Sequence, residues 1–324
     1  RDFCLSRGLG DVYKRQALRE ITSNEKLIGV LTGQWGDYGL PPKQSSFAIH
    51  CAIATHYLDG ANYPIGGSRM IPESITPVII KNGGDICIST GVDYIKTKNG
   101  KSTGVVLDNG DTIDSEYVIS SAGIQNTLNK FLRHEDSLSS YRKKLELVEP
   151  SYGHACLYVG FDKSAKDLGI TNTNLWIYPS YDHDLNTEKY MNDETNDFPL
   201  AYLSFASSKD PHWEKNYPGT ATMEVIVPTN FKNYAKWEDE KWKKRGSEYE
   251  DFKSQYSDRI IATIYKHCPN LKNKISYSEL SSPLSTRDMA HYQFGELYGV
   301  NHTPVSYTHL RAHETGRNLL SPHL

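Results

Sequence analysis

Tyr63-Pro64-Ile65-Gly66-Gly67-Ser68 is the stretch on which the reading of the fold turns. An apolar segment ends at Gly60, a rigid Tyr-Pro step follows, and the adjacent glycines lead into a helix expected to run to Lys81. Paired glycines ahead of a helix let backbone N–H groups approach a ligand with no side chain in the way, and a helix N-terminus favours negative charge. Beyond Gly83-Gly84 the pattern changes to short strands that end in Val118-Ile119-Ser120-Ser121-Ala122-Gly123. A strand closing on small residues at a helix start gives a second point of close approach. Such a layout suits a nucleotide cofactor.

Upstream of this stretch, Leu18, Ile21, Leu27 and Ile28 predict a helix from Ala17 to Val30, with Gly29 near its end. Gly33 to Pro42 is a glycine-rich loop closed by two prolines. Residues 44–58 read as a helix with Phe47, Ile49, Ala52, Ile53 and Tyr57 on a broad apolar face. His50 and His56 lie six apart, off a common face, so they read as core or cavity-lining histidines. Downstream, Pro72 suits a first helical turn and Pro77 predicts a bend. Ile86 and Ile88 alternate; Val92, Tyr94 and Ile95 then lead to a turn at Lys98-Asn99-Gly100-Lys101. Gly104 to Leu107 returns, Asp108-Asn109-Gly110-Asp111 turns again, and Thr112-Ile113 is short. Asn-Gly steps between apolar runs are a strong hairpin signal. Tyr117 to Ser120 predicts a final strand and Ile124 to Leu132 a helix.

From about residue 133 the texture changes. Strands are expected at 154–161, 174–178, 200–205 and 221–228, with a long helix over 247–267 that carries Tyr249, Phe252, Tyr256, Ile260 and Ile264 at helical period. The basic cluster Lys241 to Arg245 is flanked by Glu238, Asp239, Glu240 and Glu248, so it reads as a solvated helix face.

At 324 residues the chain fits one large domain or two ordinary ones, and its net charge of −3 argues against a nucleic-acid partner. No apolar run approaches the ~20 residues of a membrane span, and no signal peptide is legible. A cytoplasmic or peripheral-membrane location follows, with a surface-lying membrane contact left open. The cysteines, Cys4, Cys51, Cys87, Cys156 and Cys268, form no CxxC pair, as expected of reduced thiols. Residues 1–16 and 305–324 carry no helical or strand period and resemble translated adapter or vector tails. His309, His313 and Glu314 imitate a helical zinc site, but inside such a tail the spacing is coincidence and no metal is expected.

Six blocks then carry a resemblance: HYLDGANYPIGGS (56–68), VISSAG (118–123), KDPHWEKNYPGTATM (209–223), KKRGSEYEDFK (243–253), SSPLSTRDM (281–289) and GELYGVNHTP (295–304). In this order they resemble the retinol saturases, in the wider group of flavin-dependent phytoene desaturases, carotenoid isomerases and amine oxidases. The resemblance covers almost all of residues 17–304. It implies an α/β, amine oxidase-like, two-domain FAD/NAD(P)-binding flavoprotein fold, here incomplete, with an interleaved α+β substrate domain. Residues 17–62 and 126–280 would build the substrate domain, and 63–125 with 281–304 the FAD-binding domain. Tyr63, Gly66, Gly67 and Ser68 become cofactor-loop candidates, Val92 an adenine neighbour, and Ser121, Ala122 and Gly123 pyrophosphate neighbours.

What the resemblance implies for function is reduction of a C=C bond in a retinoid- or carotenoid-like polyene. FAD would be the redox carrier, with NAD or NADP as a candidate electron source. The substrate tunnel would be lined from residues 44–58 and by strands such as 200–205. Tyr63 is a proton-donor candidate on position alone, and the catalytic residues are otherwise open. Desaturation or isomerisation of a carotenoid is an alternative on the same scaffold, and an amine oxidase a weaker one. A prenyl-lipid-binding escort or GDP-dissociation-inhibitor protein is the alternative outside the enzymes. The GxGxxG fingerprint of dinucleotide-binding folds is absent, so an internal fragment that binds FAD weakly by itself is the expectation.

Overall fold

The computed structural model describes residues 13–304 and residue 306. Cys4 and the His309, His313 and Glu314 spacing lie outside the described residues, as does most of the two tail-like stretches. Two antiparallel sheets organise the mixed α/β fold. The first is the expected meander, β1 (Val92–Lys98), β2 (Lys101–Leu107) and β3 (Thr112–Asp114), paired in that order. Its tight turn has Asn99 at φ 53 and Gly100 at φ 73, both left-handed, as a two-residue hairpin with the right twist requires.

The second sheet holds β4 (Gly153–Phe161), β5 (Leu175–Ile177), β6 (Ala201–Ser204), β7 (Ala221–Thr229) and β8 (Tyr277–Ser281) in the order β5-β6-β7-β4-β8. Strict alternation gives it two unlike faces. Leu203, Val225, Leu157 and Leu280 point to one side, where the helix Gly246–His267 covers them with Tyr256, Ile260 and Ile264. Burying each such side chain stabilises by about 1.5–3 kcal/mol, so this layer dominates the fold. The other face carries Trp176, Tyr202, Ser204, Glu224, Ile226, Pro228 and His154, brought side by side by the strand register. β8 escapes a sequence reading because it is an edge strand with one buried residue, Leu280.

Four expectations are corrected. The single helix over 17–30 is two, Lys14–Arg19 and Glu25–Leu31, because the Asn24 side chain caps the second by accepting the Leu27 N–H at 3.1 Å. The first starts inside the stretch read as patternless: Lys14 is buried, and Arg15 pairs with Asp182, Asp184 and Glu25. The segments at 86–88 and 117–120 carry no regular secondary structure and join neither sheet among the described residues. Ile119 is accordingly 97% exposed. The helix over 124–132 is mainly a π-helix, Asn126–Phe131.

The helix Met70–Lys81 forms where expected, with Pro77 inside it, yet buries none of its residues; Ile71, Ile75 and Val78 are all more than half exposed. The described cysteines form no disulfide: Cys156 and Cys268 are buried, Cys51 half-buried and Cys87 exposed.

Candidate functional site

The glycine loop is held by the chain's own carboxylate. Gly66 at φ 93 and Gly67 at φ 86 are both left-handed, and a Cβ on Gly66 would meet Met70 Cγ at 2.9 Å. The Gly66 N–H donates to Asp210 Oδ1 at 3.0 Å, and the same oxygen accepts the His212 N–H at 2.9 Å. The Gly66 bond is the main reason the Asp210 carboxyl sits below the ordinary carboxylate range. Gly67 spends its N–H on Pro64 O at 3.0 Å, while its Cα faces open space, the Tyr63 hydroxyl being 4.0 Å from a Cβ built there.

Tyr63 lies beneath Lys209 Nζ, which is 5.9 Å from its ring and donates to Ser204 Oγ at 3.0 Å. Burial, then Asp210 and Glu224, push the Tyr63 phenol up, so it keeps its proton at neutral pH. The loop is thus moored to the end of β6. Asp210→Ala, which strands two backbone donors, should lower stability by about 2 kcal/mol in denaturant unfolding, with Asp210→Asn milder because one acceptor oxygen stays. An unchanged midpoint for both would mean the loop is moored elsewhere.

The other cofactor candidates have different neighbours. Gly123 lies against Tyr292, whose ring would be 3.1 Å from a Cβ there, and Gly123 O accepts from Thr127 Oγ1 at 2.8 Å. Asn126 Nδ2 ties Ala122 O to His291 O, each at 3.0 Å, so Ser121, Ala122 and Gly123 are joined to the segment after the helix Pro283–Ala290. Val92 opens β1 and pairs with Leu107. Next to it, Asp93 receives Arg133 through both its carbonyl and its carboxylate, at 2.7 and 2.8 Å.

On the aromatic face of the larger sheet lies a cavity of about 140 Å³, lined by Trp35, Asp37, His154, Trp176, Tyr202 and Tyr298 among others. The Trp176 and Tyr202 rings pack with centroids 4.6 Å apart and planes tilted by 53°. Burial pushes the Asp37 carboxyl up, a bond from the Tyr57 phenol offsetting part of the shift. Burial alone pushes the His154 imidazole down, so it is neutral at pH 7. Trp35 Nε1, Asp37 Oδ2 and His154 Nδ1 are buried without a hydrogen-bond partner.

The segments expected to line a substrate tunnel divide between this cavity and the core. Tyr202 lines this cavity, and Ile49 and Ile53 pack behind it against Trp35 and Leu200. Ala201, Leu203 and Phe205 belong to the core instead. Trp35 and Asp37 were hidden in a stretch read only as a glycine-rich loop; a lone Trp among glycines was the available signal. A larger depression of about 1090 Å³ is lined by Arg15, Arg19, Lys43, Asp184 and Glu188, charges that give an apolar molecule no reason to enter.

No protein-family model matches the chain. It is 30% identical to the all-trans-retinol 13,14-reductase of Danio rerio over 92% of this chain and 50% of that protein. To the Homo sapiens all-trans-retinol 13,14-reductase it is 30% identical over 89% and 48%. The phytoene desaturase (neurosporene-forming) of Rhodobacter capsulatus is 29% identical over 71% of this chain and 42% of its own length. The chain therefore spans about half the length of the curated relatives it matches. Among solved structures, an oxidoreductase from Methanosarcina mazei shares the fold at TM-score 0.59 and 16% identity, covering 83% of this chain and 56% of that one. A redesigned putrescine oxidase does so at TM-score 0.57 and 10% identity, covering 98% and 62%. By sequence the chain is similar to all-trans-retinol 13,14-reductases and, more distantly, to a phytoene desaturase, and it shares its fold with a putrescine oxidase.

Proposed function

We propose that this chain is part of an FAD-dependent oxidoreductase that reduces a C=C bond of a retinoid- or carotenoid-like polyene. The observation that carries the proposal is the likeness to all-trans-retinol 13,14-reductases along 92% of the chain. A polyene has no acidic proton and no polarised carbonyl at the bond in question, so side chains alone cannot reduce it; a bound reduced flavin would supply the hydride.

The residues present fit a flavin as a close-packed neighbour rather than as an anion cradle. Both glycine N–H groups are spent within the chain, on Asp210 and Pro64, whereas the bare Cα of Gly67 leaves room for a flat ring. Tyr63, Gly67 and Ser68 would lie against that ring. Saturation also needs a proton, and Tyr63, which holds its own at neutral pH, is the candidate donor. Val92 and Ser121 to Gly123 stay in the proposal as neighbours of the nucleotide half, and a nicotinamide cofactor as electron source. The exposed apolar side of the helix Met70–Lys81 supports the same reading, since it asks for a covering layer. No helix of the described residues is long and apolar enough to cross a membrane; a poorly soluble substrate points to supply from a membrane surface.

Two measurements test this. The purified chain, titrated with FAD, should retain little flavin, because both glycine N–H groups of the loop are already bonded within the chain. A protein of the relatives' full length containing this sequence should hold flavin and, once reduced, add two hydrogens to all-trans-retinol by mass spectrometry. Loss of two hydrogens from phytoene in place of that gain would favour the desaturase alternative.

A further inference from the structure

We propose that Asn99, at the tip of the β1–β2 hairpin, is a modification site: it deamidates spontaneously through a cyclic imide, faster than any other Asn-Gly step of the chain, and the isoaspartate it yields loosens the hairpin. This stands apart from the polyene reading. The sequence holds three such steps, Asn82-Gly83, Asn99-Gly100 and Asn109-Gly110. In each, the glycine nitrogen can reach the side-chain amide carbon of the residue before it, and no Cβ hinders the approach. The Gly100 nitrogen gives its proton to water and bonds to Asn99 Cγ. The Cγ–Nδ2 bond breaks, and ammonia leaves with a proton from water. A water molecule then adds to one of the two imide carbonyls, giving aspartate or isoaspartate. Nothing is oxidised or reduced, and water is the only co-reactant.

Exposure does not choose among the three steps, since all six residues are exposed. Hydrogen bonds do. Ring closure needs the amide to turn toward the glycine nitrogen, and it needs that nitrogen released from any bond it makes. Asn82 Nδ2 donates to Val78 O at 2.7 Å, and the Gly83 N–H donates to Ile80 O at 3.0 Å. Asn109 Nδ2 donates to Asp111 Oδ2 at 2.7 Å, and its Oδ1 accepts the Asp111 N–H at 3.0 Å. The Gly110 N–H is spent on Leu107 O at 2.9 Å. Among the described residues, neither the Asn99 side chain nor the Gly100 N–H has a hydrogen-bond partner. Only at this step can both reacting groups move without breaking a bond.

Charge favours the same place. Lys98 and Lys101 are paired directly across the hairpin end, a like-charge contact that costs stability. Two nearby cations stabilise the negative charge that builds up as the ring closes, and a carboxylate formed between them relieves their repulsion. The two products then differ. Aspartate before glycine suits a two-residue turn as well as asparagine does. Isoaspartate routes the main chain through Cβ and Cγ, adding an atom to a loop whose length sets the register of β1 against β2. That pair anchors the meander, because β3 joins it only through β2.

The test is ageing of the purified chain at neutral pH, with the three sites followed by mass spectrometry of chymotryptic peptides and a zero-time sample correcting for the digest. Asn99 should convert roughly ten-fold faster than Asn82 or Asn109, the worth of one hydrogen bond. In denaturant the selecting bonds are gone, so the three rates should draw together. Asn99→Gln should remove the fast mass gain. Asn99→Asp, the counterpart of the aspartate product, should keep the parent's denaturant midpoint, while the chromatographically separated isoaspartate form should have a lower one. Equal rates in the folded chain overturn the proposal, as does faster conversion at Asn82 or Asn109. A lead for Asn99 that persists undiminished in denaturant also overturns it, because the fold would then select nothing. An isoaspartate form as stable as the parent overturns the claim that the modification loosens the hairpin.

Discussion

Gly295→Ala is expected to lower stability by about 3 kcal/mol, whereas Gly299→Ala, four residues on, should lower it by only about 1 kcal/mol. Both glycines are left-handed, Gly295 at φ 57 and Gly299 at φ 70, so an alanine at either pays the same backbone strain. Their surroundings differ. A Cβ on Gly295 would lie 2.6 Å from the carbonyl carbon and 2.7 Å from Cα of Pro283, while nothing stands within 4 Å of one on Gly299. Pro283 cannot retreat. It opens the helix Pro283–Ala290 behind a reciprocal Ser282–Ser285 cap, with Ser282 bonded to the Tyr249 hydroxyl at 2.6 Å and Leu284 fully buried. The steric part, about 2 kcal/mol, is a large share of the 5–15 kcal/mol that holds a typical protein together. Denaturant midpoints at constant slope would measure both variants. Equal losses would show that the Gly295–Pro283 contact is not tight in solution.

That contact explains why the quoted sequence blocks matter for the fold. They turn out to be joints between distant parts of the chain. GELYGVNHTP meets SSPLSTRDM at Gly295 and Pro283. KKRGSEYEDFK meets the same block through Arg245 and Asp288 at 2.7 Å, with the Arg245 side chain buried, and through Tyr249 and Ser282. HYLDGANYPIGGS meets KDPHWEKNYPGTATM through Gly66 and Asp210. The segment assigned by resemblance to the FAD-binding domain, 281–304, touches both sides: Tyr292 lies on Gly123, while Glu296 and Val300 bridge to Gly153 and Pro150.

Local signals were legible where local physics decides the outcome. The Asn99-Gly100 hairpin, the alternating strands and the periodic helix Gly246–His267 need little beyond their own residues to specify them. Ile86, Ile88 and Ile119 mark the opposite case. Their alternation reads as strand, but a strand exists only when a neighbour takes its backbone hydrogen bonds, and none does so among the described residues. The site was legible to the same limited degree. Glycines at 66 and 67 announce a close-approach loop, yet nothing in the string shows that Asp210, 144 residues later, takes the Gly66 N–H. Trp35, Asp37 and His154 share a cavity only because β4 and the turn at 35–37 meet across the sheet face. Their separation along the chain conceals that.

Raising the pH past about 10 should unfold the protein steeply, with tyrosines ionising in the same step. Tyr190 and Tyr256 are buried in the core between the long helix and the sheet, and Tyr234 in a second cluster with Trp237, Tyr249 and Leu284; burial is the main force raising each phenol well above its ordinary range. The Tyr190 and Tyr256 hydroxyls are also bonded to one another. In the folded state all three keep their protons where an unfolded tyrosine, with a pKa of about 10, gives its proton up. The raised folded values therefore stabilise fully below about pH 10, and that stability is lost as pH rises toward them. The loss is about 1.4 kcal/mol per pH unit for each group, hence about 4 kcal/mol per unit for the three, enough to exhaust an ordinary stability within two or three units. Tyrosinate absorbance and far-UV circular dichroism should then change together in one cooperative transition. Tyr256→Phe should be less stable than the parent at neutral pH by about 1 kcal/mol, having lost the hydroxyl pair. It should also have a shallower alkaline slope, so the two stability curves converge as pH rises. Tyrosinate absorbance that climbs to completion while the helical signal stays intact would show instead that these three phenols are open to solvent.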